Sequence, residues 1–289
     1  MGRRIKGRKG KKEAVKIEKT LDLGCRELYQ VDTGGAGGVS IGKLHGIGTR
    51  EKQQDAFGIS DVSHIEEKGL LLVLADGMGG LSGGETASME TVVACLSYFD
   101  SMEMAEEPEE YFSHMMEYAN EQVKKALGSH HGDGGSTAVA VWLWEHSMFY
   151  ISVGDSRLLL FREGELTQLN REHNYLTILL EKAMRGEITL DEVYNDPQKD
   201  ALTSYIGENL VSETDMCQEP LKLRQGDKII LMSDGIYRTV GEGEMKEILK
   251  QSPQRAAMKL ERMIFQKAKP SQDNYTALIV EIISEEKQG

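Results

Sequence analysis

The chain has 289 residues, enough for one large domain or two small ones with a sizeable core. Its 28% charged and 39% hydrophobic residues are those of a folded globular protein, and a net charge of −13 excludes nucleic-acid binding by the body of the chain. No apolar run approaches the roughly 18 residues a membrane span requires, and Cys25, Cys95 and Cys217 lack paired spacing, which points to free thiols in a reducing, cytoplasmic setting.

The charge is unevenly spread. Residues 1–12 carry +7 and no acid, leaving the rest of the chain at −20. This arm reads as a basic, flexible, solvated segment extending to about residue 38, and no apolar run follows it to make a signal peptide. The glycine-rich stretch Thr33 to Ser40 lacks the preceding strand and the GK[ST] ending of a phosphate-cradling loop, so it reads as an entry loop. Val39 to Ile47 then alternates like a half-buried strand, and a polar approach, Thr49 to Asp55, leads to a second strand at Ala56 to Ser60.

Leu70 to Leu74 is a continuous apolar run, expected to form a buried strand that stops at Asp76 in an Asp-Gly turn. Helices are expected over Glu85 to Phe99 and from Pro108 to about Leu127, the second closed by Gly128. Its residues Tyr111, Phe112, Met115, Met116, Ala119, Val123 and Leu127 recur at helical spacing, with the methionines as core filling. His130-His131 reads as part of a polar loop and His173 as a surface residue.

From Ser136 the period changes to two. Ser136 to Trp144, Met148 to Val153 and Ser156 to Phe161 read as strands, the last turning at Glu163-Gly164-Glu165 into Leu166 to Leu169. Trp142 and Trp144 share one strand face and are expected to pack against a helix. Residues 172–210 are mixed, with short helices near Tyr175 to Arg185 and Leu190 to Tyr194. Asp227 to Met232 is another buried strand, ending in Ser233-Asp234-Gly235. Helices over Glu242 to Lys250 and Pro253 to Lys267 follow, and Asp273-Asn274 opens a last strand, Tyr275 to Ile283. With no repeat and no linker after residue 40, residues 39–285 are expected to form one domain.

Five acids share a placement. Asp55 and Asp273 each precede a strand, Asp76 and Asp234 each end one, and Asp155 sits in the turn Val153-Gly154-Asp155-Ser156-Arg157. Each alone is better read as a turn residue; five such turns together are less easily read as coincidence. Gathered at sheet edges they repel one another unless cations neutralise them, and oxygen ligands without His or Cys suit Mg²⁺ or Mn²⁺ rather than zinc.

These segments together resemble the metal-dependent type 2C protein phosphatase family in its bacterial serine/threonine form. The likeness rests on Arg50 to Asp55, Ala75 to Gly80, Gly135 to Ala138, Val153 to Arg157, Ser233 to Gly235 and Asp273 to Thr276, with His173 to Gly207 similar to the family's flap. It implies an α+β, four-layer αββα sandwich: two antiparallel sheets, each covered by helices. It also implies direct hydrolysis of phosphoserine and phosphothreonine by a water held between two Mn²⁺ or Mg²⁺ ions, without a phosphoenzyme. Asp76 would bridge the ions with the Gly77 carbonyl beside it, Asp234 and Asp273 would hold one ion, and Asp55 would serve the other through water. Arg50 would grip the phosphoryl oxygens, and Asp155 with Asp234 would form a third, weaker metal site. The implied partners are phosphorylated proteins and a cognate serine/threonine kinase, and the protein itself is expected to be a monomer.

Three positions depart from the family pattern. Met78 stands where many members place a His proposed as general acid, Gln54 where an acid is common, and Arg238 where some members have an acid at the third metal. Two other functions stay open: a catalytically silent module that binds phosphoproteins, and a phosphatase dedicated to one signalling partner.

Overall fold

The computed structural model describes residues 30–31, 38–79, 83–101, 107–130 and 134–283. The basic arm, Cys25, residues 33–37, Gly80 and His131 lie outside the described residues.

In chain order the elements begin with strands β1 (Gln30–Val31), β2 (Val39–Gly46) and β3 (Asp55–Ile59), a single helical turn α1 (Ile65–Lys68), and β4 (Leu70–Met78). Two long helices follow, α2 (Gly83–Ser101) and α3 (Pro108–His130). Strands β5 (Gly135–Ser136), β6 (Ala138–Trp144), β7 (Ser147–Val153), β8 (Arg157–Arg162) and β9 (Glu165–Gln168) lead to short helices α4 (Tyr175–Met184) and α5 (Leu190–Asn195). After β10 (Asp215–Met216), β11 (Leu221–Lys222) and β12 (Lys228–Met232) come α6 (Asp234–Tyr237), α7 (Glu242–Leu249), α8 (Pro253–Lys267) and β13 (Tyr275–Ile282).

These form two sheets of antiparallel pairs. One runs β1-β2-β13-β12-β8-β9; the other runs β10-β7-β6-β4-β3, with β11 also on β7 and β5 on β4. Three apolar layers hold the stack together. Leu70, Leu72, Leu74, Val139 and Val141 meet Ile229, Leu231, Leu278 and Val280 between the sheets. Because successive strand residues face opposite ways, Leu71, Val73 and Ala140 instead meet Val92, Leu96, Phe112 and Met115 of α2 and α3. On the far side Ile230, Met232 and Ile279 meet Met245, Ile248, Leu260 and Ile264 of α7 and α8. A central strand buried on both faces is why Leu70 to Leu74 is continuously apolar rather than alternating. The four-layer sandwich is thus the architecture observed. Trp142 packs against Phe99 and Tyr111 of α2 and α3, with Trp144 tilted beside it.

Several boundaries differ from the sequence reading. β4 does not stop at Asp76 but runs on to Met78, because Gly77 and Met78 pair with Ser136 and Gly135 of β5. Helix α3 continues through Gly128 to His130; Gly128 lacks the positive φ of a helix-ending glycine, and an added Cβ there would meet nothing. His130 therefore closes a helix rather than lying in a loop. His173 is 2% exposed, not a surface residue. Its backbone N–H donates to the Gly154 carbonyl at 2.9 Å, and its Nδ1 accepts from the Gly154 N–H at 3.1 Å, because the segment after β9 docks on the β7–β8 turn. Burial lowers the His173 pKa, consistent with a neutral ring acting as acceptor.

Candidate metal centre

The five acids converge at one end of the two sheets. Asp55 opens β3 and is register partner to Asp76 in β4. Asp234 starts α6 directly after β12, and Asp273 precedes β13, the strand hydrogen-bonded to β12. Asp155 lies in the turn between β7 and β8. The site is therefore built from both sheets: Asp55 and Asp76 from one, Asp234 and Asp273 from the other.

Hydroxyls stitch the two halves together. Ser233 Oγ and Thr276 Oγ1 both donate to Asp55 Oδ2, at 2.8 and 2.7 Å. His45 Nδ1 lies 2.9 Å from the same Thr276 hydroxyl, and the Ser233 Oγ accepts from the Thr276 N–H at 2.9 Å. Asp76 is fixed through its backbone: its N–H donates to Thr137 Oγ1 at 2.9 Å and its carbonyl accepts from the Thr137 N–H at 2.8 Å. The Gly77 N–H donates to the Gln54 carbonyl, and a Cβ on Gly77 would collide with the Gly84 and Gln54 carbonyls. Asn274 holds the approach to Asp55, accepting from the Gln54 N–H and donating to the Ile47 and Lys52 carbonyls.

The electrostatics are unfavourable as they stand. Burial first, and then the charges of Asp234 and Asp273, push the Asp55 carboxyl up to about 7 against the opposing hydrogen bonds from Thr276 and Ser233. Burial, followed by Asp55, Asp234, Asp155 and Asp273, raises Asp76 well above the carboxylate range. Burial and then Asp234 raise Asp155 to about 7, with Arg238 opposing. Burial likewise raises Asp234, again against Arg238. Asp76 thus feels all four of the other acids.

One atom decides whether cations suit this arrangement. Asp55 Oδ1 is buried without a hydrogen-bond partner, and such an oxygen costs about 1–3 kcal/mol unless something satisfies it. Oδ2 of the same carboxylate is doubly satisfied, so Oδ1 is the oxygen left open. Among the described residues no three acidic, His or Cys side chains close into a finished coordination cage. Hard divalent cations that retain several waters, as Mg²⁺ does, fit such an open oxygen-only frame.

The remaining expected residues are present but differently engaged. The Arg50 guanidinium is half exposed and 2.6 Å from Asp273 Oδ2. Arg238 Nε contacts Asp234 Oδ2 at 2.9 Å, and its Nη2 lies 3.7 Å from Asp155 Oδ2. Tyr237 also faces Asp155, its hydroxyl donating to the Asp155 carbonyl at 3.2 Å. The sequence reading carries Ser233, Thr276, Asn274 and Thr137 only as motif members without a role of their own, and it does not single out His45. Ser233, Asn274 and Thr276 sit within three residues of an expected ligand, a signal that adjacency supplied; His45 had none.

A family model described as protein phosphatase 2C matches residues 42–275. The chain is 30% identical over 240 residues to the serine/threonine phosphatase stp of Listeria innocua, an overlap covering 80% of this chain and 91% of that one. Its fold resembles the solved Streptococcus agalactiae serine/threonine phosphatase, with a TM-score of 0.73 and 26% identity across 84% of this chain and 99% of that one. It also resembles the catalytic domain of the phosphatase PstP, solved with two manganese ions, at a TM-score of 0.68 and 22% identity across 85% and 99% of the two chains.

Proposed function

Because the chain belongs to the protein phosphatase 2C family and is a metal-dependent serine/threonine protein phosphatase of bacterial type, we propose that Asp55, Asp76, Asp234 and Asp273, with the Gly77 carbonyl, hold its two core cations. The observation that carries this assignment is Asp55 Oδ1, a buried oxygen with no partner within a group of carboxylates raised by one another's charge. Mn²⁺ or Mg²⁺ is the cation class these oxygen ligands suit. The PstP domain, solved with two manganese ions, supports the count of two. The catalytic unit spans residues 39–285, with the flap at about 173–207.

Bound there, the two cations would activate water for attack and neutralise the phosphate charge. The chain's own residues do the rest. Ser233 and Thr276 hold Asp55 by one oxygen, so its other oxygen has a fixed direction. Arg50 presents a planar, permanently charged fork at the rim; with one Nη on Asp273, its other donors are available to phosphoryl oxygens. Met78 has no proton to give, so the departing serine or threonine oxygen takes its proton from water.

The substrates are phosphorylated proteins. A cognate serine/threonine kinase, a monomeric state and a cytoplasmic location complete the proposal; no helix among the described residues is long and apolar enough to cross a membrane. Hydrolysis of p-nitrophenyl phosphate that needs Mn²⁺ and disappears in Asp76→Ala and Asp234→Asn is the expected result. No turnover with Mn²⁺ would overturn the reading in favour of a silent phosphoprotein-binding module. Turnover of one phosphoprotein alone would favour the dedicated phosphatase.

A further inference from the structure

Arg238 contacts three carboxylates that come from three separate stretches of chain. Nε is 2.9 Å from Asp234 Oδ2, and Nη2 is 3.2 Å from Asp200 Oδ1 and 3.7 Å from Asp155 Oδ2. Asp234 and Arg238 are four residues apart across the single turn α6, the spacing that stacks one side chain on the other. Asp155 belongs to the β7–β8 turn. Asp200 belongs to the flap, just after α5, in the segment where the Ala201 and Lys199 carbonyls accept from the N–H groups of Tyr175 and Leu176 at the start of α4. One guanidinium therefore joins the floor of the site to the flap above it.

We propose that Arg238 is a positioning residue that takes the place of a third divalent cation at Asp155 and Asp234 and docks the flap onto the metal centre through Asp200. A cation bound directly by Asp155 and Asp234 would need carboxylate oxygens at about 2.0–2.2 Å. The space between those oxygens already contains the guanidinium, whose positive charge would also repel an incoming ion. Unlike an ion, the guanidinium does not dissociate and stays charged at any working pH. Flap docking through it is consequently independent of metal concentration.

Both Arg238 and Asp200 are partly exposed, at 40% and 53%, so their pair is a modest bias rather than a lock. A shift of up to about fivefold in the docked population is the scale such a pair supplies. With the flap docked beside Asp155 and Asp234, the bias would appear mainly in KM for phosphoprotein substrates.

This inference rests on the phosphatase reading, and the test separates the two. Full-length protein, Arg238→Ala, Arg238→Lys and Asp200→Asn would be compared by native mass spectrometry with Mn²⁺ and by hydrogen exchange of flap amides, including Tyr175 and Leu176, without metal. The natural protein should bind two ions and Arg238→Ala a third. Flap exchange should rise about twofold to fivefold in Arg238→Ala and in Asp200→Asn, add nothing when the two are combined, and fall back part-way in Arg238→Lys. Three ions in the natural protein, or flap exchange unchanged in Asp200→Asn, would overturn the role given to Arg238. Failure of the natural protein to bind any Mn²⁺ would overturn the phosphatase reading instead, while exchange in the metal-free protein still decides the Arg238–Asp200 link. Asp200 is exposed, so its substitution tests the link without endangering the fold.

Discussion

Asp55 and Asp76 are register partners across β3 and β4, so their carboxylates leave the same face of one sheet side by side. Directly opposed like charges destabilise a strand pair, and here the pair is also largely removed from water. The fold tolerates this juxtaposition for the sake of what it binds. Asp76→Asn should therefore raise the Tm of the metal-free protein while lowering Mn²⁺-dependent phosphatase activity at least about 100-fold, since outer-shell substitutions alone cost 10–100-fold. Calorimetry in a chelator and initial rates in Mn²⁺ check the two halves. A fall in both would mean that Asp76 is a structural residue.

The raised carboxyl groups set a pH dependence whose sign differs between metal-free and metal-loaded protein. Asp55 and Asp155 titrate at about 7 in the fold against an ordinary value of 3.8, so between these values the folded state holds more protons than the unfolded one. Their contribution to metal-free stability is full below about 3.8 and is lost as pH rises through about 7. Cations at the core pair compete with the protons on Asp55 and Asp76 rather than with that on Asp155, so Mn²⁺ affinity should strengthen about tenfold per pH unit for each proton displaced, up to about pH 7 for Asp55. Chemical denaturation in chelator and Mn²⁺ titrations across pH 5–8 read the opposite slopes.

The two hydroxyls on Asp55 Oδ2 offer a test that leaves every carboxylate in place. Thr276→Val removes a buried hydrogen bond of 2.7 Å and leaves His45 without its partner. It should cost about 1–3 kcal/mol of stability and weaken Mn²⁺ binding about 10–100-fold. Thr276→Ser keeps the hydroxyl and should restore the affinity. If valine and serine behave alike in Mn²⁺ titration, the hydroxyl does not orient Asp55.

Arg50 is exposed, and its ion pair with Asp273 contributes only about 0–1 kcal/mol. Arg50→Ala should leave Tm nearly unchanged and raise KM for phosphopeptides about tenfold or more. Arg50→Lys should recover only part of the loss, because a point charge lacks the planar fork. Steady-state kinetics on a phosphothreonine peptide separate KM from kcat.

Gly77 is required by space. An added Cβ would strike the backbone carbonyls of Gly84 and Gln54, neither of which can move without shifting α2 or the loop before β3. Gly77→Ala should destabilise the metal-free protein by about 1–3 kcal/mol, lowering its Tm by a few degrees. A Tm equal to that of the natural protein would show that the loop relaxes freely.

The sequence by itself determined the strands, the helices and the acids at their ends. Leu70 to Leu74, Lys228 to Met232 and Tyr275 to Ile282 carry their apolar runs locally, and Arg50, Asp55, Asp76, Asp234 and Asp273 stand in motifs whose order alone indicated the family. It placed the end of β4 too early, because the pairing that extends it to Met78 depends on β5, nearly 60 residues later. Tertiary structure decided what surrounds the acids. Ser233 and Thr276 reach Asp55 from 178 and 221 positions away, His173 turns inward onto Gly154, and Arg238 gathers Asp155, Asp200 and Asp234. Such contacts have no period, and a motif marks residues without saying which of them will touch. They arise only when two sheets pack face to face and bring their strand ends together, since hydrogen bonds and charges act over a few ångströms of space, whatever the separation along the chain.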